Sequence, residues 1–188
     1  MEARTQRIVE TAIKLAERDG FDAVRLRDVA SMSNVALGTV YRRFRSKEDI
    51  LVAALEHEVD KLETLPLEML PGDSAAERTI AAFEIMTRWL CGKPNFARAC
   101  LRSVTSGVPE ITDRVTRFHD KTTGAIVRVM QSGTSTDFDV THLQFLAKIL
   151  QNLWFAEVVG WAGGLHDEEV VITRMRKVVR FLMATPAA

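Results

Sequence analysis

The amino-acid sequence predicts an all-α protein with about nine helices. Apolar residues recur at helical spacing along the 188 residues, and no segment shows the sustained alternation of apolar and polar residues that marks a strand. Hydrophobic residues make up 47% of the chain, which is enough to build a sizeable core. Two cysteines, Cys91 and Cys100, are too few to staple a secreted domain, so we expect a reducing compartment.

Three helices are expected in the first 46 residues, separated by local turn signals. Ile8 and Leu15 share the apolar face of the first helix, and Gly20 is placed to end it. Ser33 and Asn34 predict a turn between the second and third helices, because Asn tolerates positive φ. The expected helices cover about residues 5–19, 26–31 and 37–44.

Ser46 predicts the start of a long fourth helix, because Glu48 and Asp49 follow it in the first turn. The clearest break in the chain comes later, between Pro66 and Asp73. Five further helices are expected after the break, over about residues 74–90, 94–106, 109–131, 139–162 and 167–183. The sequence therefore predicts three parts, which are residues 1–46, a connecting helix and linker over 47–70, and residues 71–188.

Neither a membrane span nor an export signal is expected. The most apolar stretch, residues 143–165, contains Lys148 and Glu157, which are costly in hydrocarbon, so it predicts a buried helix. Arg4 and Arg7 interrupt the apolar run that a signal peptide would need. We therefore expect a cytoplasmic protein.

The formal net charge is zero, but the charge is unevenly distributed. Residues 25–47 contain six lysines and arginines against a single acidic residue, Asp28. Such a window indicates either a solvated face or a surface that meets phosphates. The pattern in which these charges lie favours the second interpretation.

A helix, a turn of three to four residues and a second helix form the skeleton of many DNA-reading units, because the first helix braces the protruding second one. Val40 and Phe44 of the third helix should point to the core. Gly38 lowers helix propensity by up to about 1 kcal/mol, which suggests that it allows a close approach of the backbone to DNA. The residues left for the outside are Leu37, Gly38, Thr39, Arg42 and Arg43, with Tyr41 partly inward.

Residues 5–56 resemble the N-terminal domain of TetR-type transcriptional repressors. The resemblance is carried by Asp28-Val29-Ala30, Val35, Gly38-Thr39-Val40-Tyr41, Phe44, Ser46-Lys47-Glu48 and Leu51. It implies an all-α homodimer that binds a palindromic operator of double-stranded DNA and releases it when a small molecule occupies the C-terminal domain. Residues 1–46 would then be the DNA-binding domain, and residues 71–188 would bind ligand and dimerise.

The resemblance also implies roles for individual residues. Arg42 is expected to pair with a guanine edge, whereas Tyr41 and Lys47 are expected to meet phosphates. The chain departs from the family at the helix caps, where Arg25 and Ala36 stand in place of Ser or Thr. Arg25 is expected to compensate as a phosphate contact. The full set of expected DNA-contacting residues is Arg25, Arg27, Leu37, Gly38, Thr39, Tyr41, Arg42, Arg43 and Lys47.

The C-terminal part is expected to provide two surfaces. The last two helices are the candidates for a four-helix dimer interface, through Leu146, Leu150, Leu153, Val158, Trp161, Val171, Met175, Val178 and Leu182. Candidates for lining an effector pocket are Phe83, Met86, Trp89, Leu90, Phe96, Cys100, Phe118, Met130, Phe145 and Trp154, although plain core packing explains each of them as well.

A small hydrophobic effector is expected, such as a lipid, a sterol or an acyl-CoA. Residues 25–30 and 38–48 are similar to a TetR subgroup that represses cholesterol catabolism and responds to acyl-CoA thioesters. Four arginines of the C-terminal part are candidates for meeting a CoA phosphate or for lying on solvated helix faces, namely Arg98, Arg102, Arg114 and Arg117.

Two other classes of function remain as alternatives, a small helical enzyme and a lipid carrier without DNA binding. The four histidines lie far apart in the sequence, and no zinc pattern, nucleophile elbow or glycine-rich phosphate loop is present. We therefore expect no catalytic residue, metal or cofactor. A lipid carrier would explain the apolar C-terminal part but would give no function to the exposed basic residues of the third helix.

Overall fold

The computed structural model describes residues 3–63, 67, 70–132 and 139–184, apart from the side chains of residues 62 and 63. Within these ranges the chain forms nine α-helices and no strand, so the predicted all-α fold is confirmed. The helices are α1 (Ala3–Asp19), α2 (Leu26–Met32), α3 (Leu37–Arg43), α4 (Lys47–Glu63), α5 (Ala75–Cys91), α6 (Pro94–Val104), α7 (Thr112–Gln131), α8 (Val140–Ala162) and α9 (Glu168–Leu182).

Side-chain caps begin three helices of the C-terminal part, α5, α8 and α9. The Ser74 hydroxyl accepts a hydrogen bond from the Glu77 N–H at 3.2 Å, and the Glu77 carboxylate accepts from the N–H groups of Asp73 and Ser74. This capping box lowers the pKa of Glu77, because both backbone donors favour the ionised form. Asp139 and Asp167 accept similar bonds at the starts of α8 and α9. All three caps lie where the sequence predicts helix starts.

Backbone conformation explains where other helices begin and end. Gly20 follows α1 with φ at 78°, and Asn34 lies in the turn after α2 with φ at 53°. Both residues thus adopt the left-handed conformation for which their types are suited. The helix expected from residue 109 starts later, because the segment Pro109–Ile111 forms a 3-10 turn and α7 begins at Thr112.

The first of two compact units combines residues 1–61 with residues 93–120. In this unit α6 packs against α1. The Asn95 amide on α6 donates hydrogen bonds to the carbonyl oxygens of Glu17 and Arg18 at the end of α1, each at 3.3 Å. Side chains that are at most 1% exposed form the core of the unit, among them Ile8, Val29, Val40, Phe44 and Ile50.

An acidic side chain, Asp49, fixes the junction between α3 and α4. Its carboxylate accepts a hydrogen bond from the Arg45 N–H at 2.9 Å, and its own N–H donates to the Ser46 hydroxyl at 3.3 Å. Arg114 of α7 donates to the Asp49 carboxylate and to Glu56 Oε2, the latter at 2.7 Å. The side chains of Asp49 and Arg114 are only 8% and 21% exposed, so water screens this charge network weakly.

The second compact unit combines residues 62–92 with residues 121–188. Here α5 and α8 both pack against α9. Trp154 Nε1 donates to Thr87 Oγ1 at 2.9 Å, and the Trp154 ring lies 6.2 Å from the ring of Phe83. The His166 ring packs against α8 at Gly160, where an added Cβ would lie 2.5 Å from Cε1 of the ring. Gly160 is therefore required for this close packing.

The compact units do not follow the order of the chain. Residues 93–120 belong to the unit of the N-terminal helices, so α6 and the first part of α7 pack with them. The predicted division of the chain into three parts, with boundaries at residues 46 and 70, describes functional regions rather than packing units. This division stays a prediction.

Replacing Arg114 with methionine should lower the free energy of unfolding by about 3 kcal/mol, because Asp49 and Glu56 would keep largely buried charges without their arginine partner. Urea denaturation followed by circular dichroism measures this loss. Arg117→Met is the matched control, since Arg117 is 55% exposed and its Nε lies 3.5 Å from Glu56 Oε1. We expect the control to cost at most about 1 kcal/mol. Equal losses in the two variants would contradict the role given to Arg114.

Candidate nucleic-acid interface

The turn between α2 and α3 holds the two helices in direct contact. Asn34 adopts positive φ, and the Val35 N–H donates to the Ala30 carbonyl oxygen at 3.0 Å. Neither Arg25 before α2 nor Ala36 before α3 provides a side-chain cap. These two short helices are therefore held by packing against the rest of their unit rather than by their own ends.

Helix α3 has one buried face and one exposed basic face. Val40 is fully buried and Phe44, which follows the helix, is 1% exposed, whereas Tyr41 is 53% exposed. Arg42 is exposed, and its Nη2 donates to Thr39 Oγ1 at 3.2 Å. The seven residues of α3 span about 10 Å, which fits within the DNA major groove. The exposed or half-buried residues of this helix are Leu37, Gly38, Thr39, Tyr41, Arg42 and Arg43.

Lys47, at the start of α4, is held by the turn between α1 and α2. Its Nζ lies 3.9 Å from the centroid of the Phe21 ring and 3.2 Å from Asp22 Oδ1. The Lys47 side chain is 30% exposed. The Phe21 ring and the Asp22 carboxylate therefore hold its ammonium group in a defined position. Arg25, just before α2, and Arg27, on α2, are exposed. All nine residues expected to contact DNA thus belong to the first compact unit.

The structure places three of the four candidate CoA-binding arginines in specific contacts within the first compact unit. Arg114 and Arg117 contact the carboxylate of Glu56 on α4. Arg102 of α6 lies beside Phe21 and Asp22, with Cζ 4.0 Å from the ring centroid. Sequence reasoning missed these contacts because each joins residues far apart in the chain, and no local pattern signals such pairs.

The predicted dimer-interface residues divide into buried and accessible ones. Leu153 is 41% exposed. Trp161, Val178 and Leu182 are half-buried. The remaining predicted residues are at most 4% exposed because they pack inside the chain itself, and they are Leu146, Leu150, Val158, Val171 and Met175. A second chain would touch these five only if the unit repacked.

A different apolar stripe of α8 faces outward. Phe145, Leu153 and Val159 are 63%, 41% and 41% exposed. At 3.6 residues per turn, these three side chains lie within an arc of about 120° on the surface of the helix. On α9, Phe181 is 81% exposed. These four residues are called the outer apolar stripe below.

The ten candidate effector residues divide between the two compact units. Phe96, Cys100 and Phe118 belong to the first compact unit, and the other seven belong to the second. In the second unit, Phe83 and Trp154 are buried against each other, as described above. Phe145 is 63% exposed and lies on the outer apolar stripe. The assignment of these residues to an effector site remains a prediction.

Both cysteines of the chain are buried. Burial raises the pKa of Cys91 to about 12 and raises the pKa of Cys100 well above its usual range, so both thiols stay protonated at neutral pH.

In the ranges that the structure describes, no group of three or more His, Cys, Asp or Glu residues is arranged to hold a metal ion. No helix among these ranges is long and apolar enough to cross a membrane.

Helix α3 is buried on one side and basic on the other, and α2 packs against it. This arrangement is typical of helix-turn-helix DNA-binding proteins. Comparison with known proteins gives the family. Residues 8–54 match the model of bacterial regulatory proteins of the tetR family. Residues 8–54 therefore form a TetR-type N-terminal domain, as the motif resemblance predicts.

Full-length relatives agree with the domain match. The HTH-type transcriptional repressor KstR of Rhodococcus jostii is 29% identical over 185 residues, covering 96% of this chain and 82% of KstR. This repressor represents the subgroup to which residues 25–30 and 38–48 are similar.

Solved structures share the fold. The crystal structure of a TetR transcriptional regulator from Rhodococcus sp. RHA1 gives a TM-score of 0.84 at 22% identity, covering 100% of this chain and 99% of that one. Thermus thermophilus FadR, a TetR-family repressor crystallised with lauroyl-CoA, gives a TM-score of 0.67 at 18% identity, covering 98% and 97% of the two chains.

Replacing Gly38 with alanine should separate stability from DNA binding. A Cβ at this position would meet nothing within 4 Å, so the substitution fits the free protein and should raise stability by up to about 1 kcal/mol. The same methyl group should weaken DNA binding, because it lies on the face that approaches the duplex. Thermal melting and a DNA titration on the same preparation measure the two effects.

Gly124→Ala on α7 is the matched control, since a Cβ there also meets nothing within 4 Å. This control should gain stability and bind DNA as the unchanged chain does. Unchanged DNA affinity in the Gly38→Ala variant would contradict a close approach at this residue.

Proposed function

We propose that the protein is a ligand-responsive transcriptional repressor, which binds a palindromic operator as a homodimer in the cytoplasm and leaves it when a small hydrophobic effector binds. The observation that carries this proposal is the exposure of Tyr41, Arg42 and Arg43 on a helix whose other face is fixed in the core. A short rigid helix with this distribution of charge suits the major groove.

The proposed contacts divide between base reading and backbone binding. Arg42 pairs with the O6 and N7 atoms of a guanine, because a guanidinium group matches that edge with two hydrogen bonds. Tyr41, Arg43 and Lys47 bind phosphates and set the register of the helix. Arg25, just before α2, and Arg27, on α2, add phosphate contacts beside them. Arg42 therefore carries sequence preference, and the other residues carry affinity.

The outer apolar stripe supports the proposed homodimer. Phe145, Leu153, Val159 and Phe181 are large side chains exposed to water in the single chain. Two copies of the stripe related by a twofold axis would cover each other, as a self-complementary interface requires. Such a dimer presents two copies of α3, which is what a palindromic operator needs.

The proposed effector is a lipid, a sterol or an acyl-CoA-like compound. The similarity to KstR supports this class, as does the lauroyl-CoA bound to the FadR neighbour. In the second compact unit a cleft of about 370 Å³ is lined partly by Arg78 and Arg128, whose charges suit a phosphate group. An effector that prefers the released form would lower operator affinity about 5- to 150-fold.

Replacing Arg42 with alanine should reduce discrimination at one base position by about 1–3 kcal/mol per half-site. Lys47→Ala should instead weaken binding to all sequences alike and flatten the dependence of affinity on salt. The measurement begins by sequencing the DNA fragments that the purified protein selects from random DNA. Titrations with the selected site and its single-base variants then follow for each protein. Full discrimination by the Arg42→Ala variant would refute the assignment of this residue.

The effector is then tested by adding three classes of compound to the protein–DNA complex, namely acyl-CoA thioesters, free sterols and fatty acids. Dissociation by a member of these classes supports the proposed response. The failure of the protein to select any DNA would favour the carrier or enzyme alternatives. A complex that none of these compounds dissociates would contradict the proposed effector class while leaving DNA binding intact.

Replacing Leu153 with aspartate should convert the proposed dimer to monomer, because a charge would be buried in the interface. Sedimentation velocity measures the change in mass. Val140→Asp is the matched control, since Val140 is 55% exposed on the same helix but lies away from the outer apolar stripe. A dimer that persists in Leu153→Asp would contradict the proposed interface.

A further inference from the structure

The turn between α1 and α2 brings together two cations from different helices. Lys47 Nζ and Arg102 Cζ lie 3.9 Å and 4.0 Å from the same ring centroid, that of Phe21. Both cations also approach one carboxylate, with Lys47 Nζ 3.2 Å from Asp22 Oδ1 and Arg102 Nη1 3.9 Å from Asp22 Oδ2. The two cationic groups are therefore neighbours on one surface of the first compact unit.

The charges of this cluster do not balance. Two cations face one anion, so a net positive charge remains beside the site proposed for a DNA phosphate. The Arg102 and Asp22 side chains are 62% and 79% exposed, and an ion pair this exposed contributes little to stability because water screens it. The guanidinium group can therefore leave Asp22 for a phosphate at little cost, and it gains charge-assisted hydrogen bonds there.

Two cations at 3.9 Å and 4.0 Å from one ring centroid are at most about 8 Å apart, so both lie within reach of one nucleic-acid strand. Phosphates along one strand of B-DNA follow each other at about 3.4 Å of rise, so two neighbouring cations meet phosphates that are close in sequence. The Phe21 ring keeps both groups in place, because each cation is attracted to its π-system. The ring therefore acts as a common support for the two charges.

We propose that Arg102 of α6 is a DNA-backbone contact that extends the phosphate site of Lys47, and that Phe21 positions both cations. This inference rests on the proposed DNA-binding function. It adds to the interface a residue from outside the helix-turn-helix, and it gives Arg102 a role in affinity rather than in sequence preference.

The dependence of affinity on salt tests the proposal. The logarithm of the binding constant is plotted against the logarithm of the salt concentration for the full-length protein and its selected operator. Loss of one phosphate contact reduces the slope by about 0.9 for each subunit bound. We expect this reduction for Arg102→Gln, with base discrimination unchanged. Arg102→Lys should keep the slope, because it keeps the charge.

Arg180→Gln is the control for a general loss of charge, since Arg180 is an exposed arginine of the second compact unit. Its slope should equal that of the unchanged protein. An unaltered slope in Arg102→Gln would overturn the proposal. Equal losses of affinity in Arg102→Gln and Arg102→Lys, without a change in slope, would also overturn it, because they would indicate a structural role for Arg102. Failure of the unchanged protein to bind any DNA would instead overturn the function on which the proposal rests.

Discussion

The carboxylate of Asp49 is the constraint on which the orientation of the exposed basic face of α3 depends. Helix α3 has seven residues and no side-chain cap, so it is too short to be stable on its own. Its C-terminal end leads into Arg45, whose N–H is held by Asp49, while Arg114 holds Asp49 from α7. The orientation of the basic helix is thus set by a residue 65 positions further along the chain. Core packing through Phe44 completes the support.

The N-terminal helices were largely predictable because their signals are local. Gly20 and Asn34 adopt the positive φ that their residue types favour, and Val40 and Phe44 are buried as helical periodicity requires. The contacts of Arg102 were not predictable in this way. They join a late helix to a turn near the start of the chain, and sequence spacing contains no information on such pairs.

The C-terminal helices show a different limit of sequence reasoning. Helix α8 is apolar around most of its circumference, so periodicity alone does not tell which stripe faces the core. Packing against α9 buries Leu146 and Leu150 and leaves Phe145 and Leu153 exposed. The same difficulty applies to the effector candidates, since Phe96 proves to be core of the unit that contains the basic helix.

Two residues on the outer face of α3, Gly38 and Arg42, contribute little to folding. A Cβ at Gly38 would meet nothing within 4 Å, and Arg42 donates to Thr39 within its own helix. Substitutions at these two positions consequently leave the core and the Asp49 junction intact. During evolution the operator recognised by such a protein can therefore diverge one base at a time, while the scaffold that presents the helix is inherited unchanged.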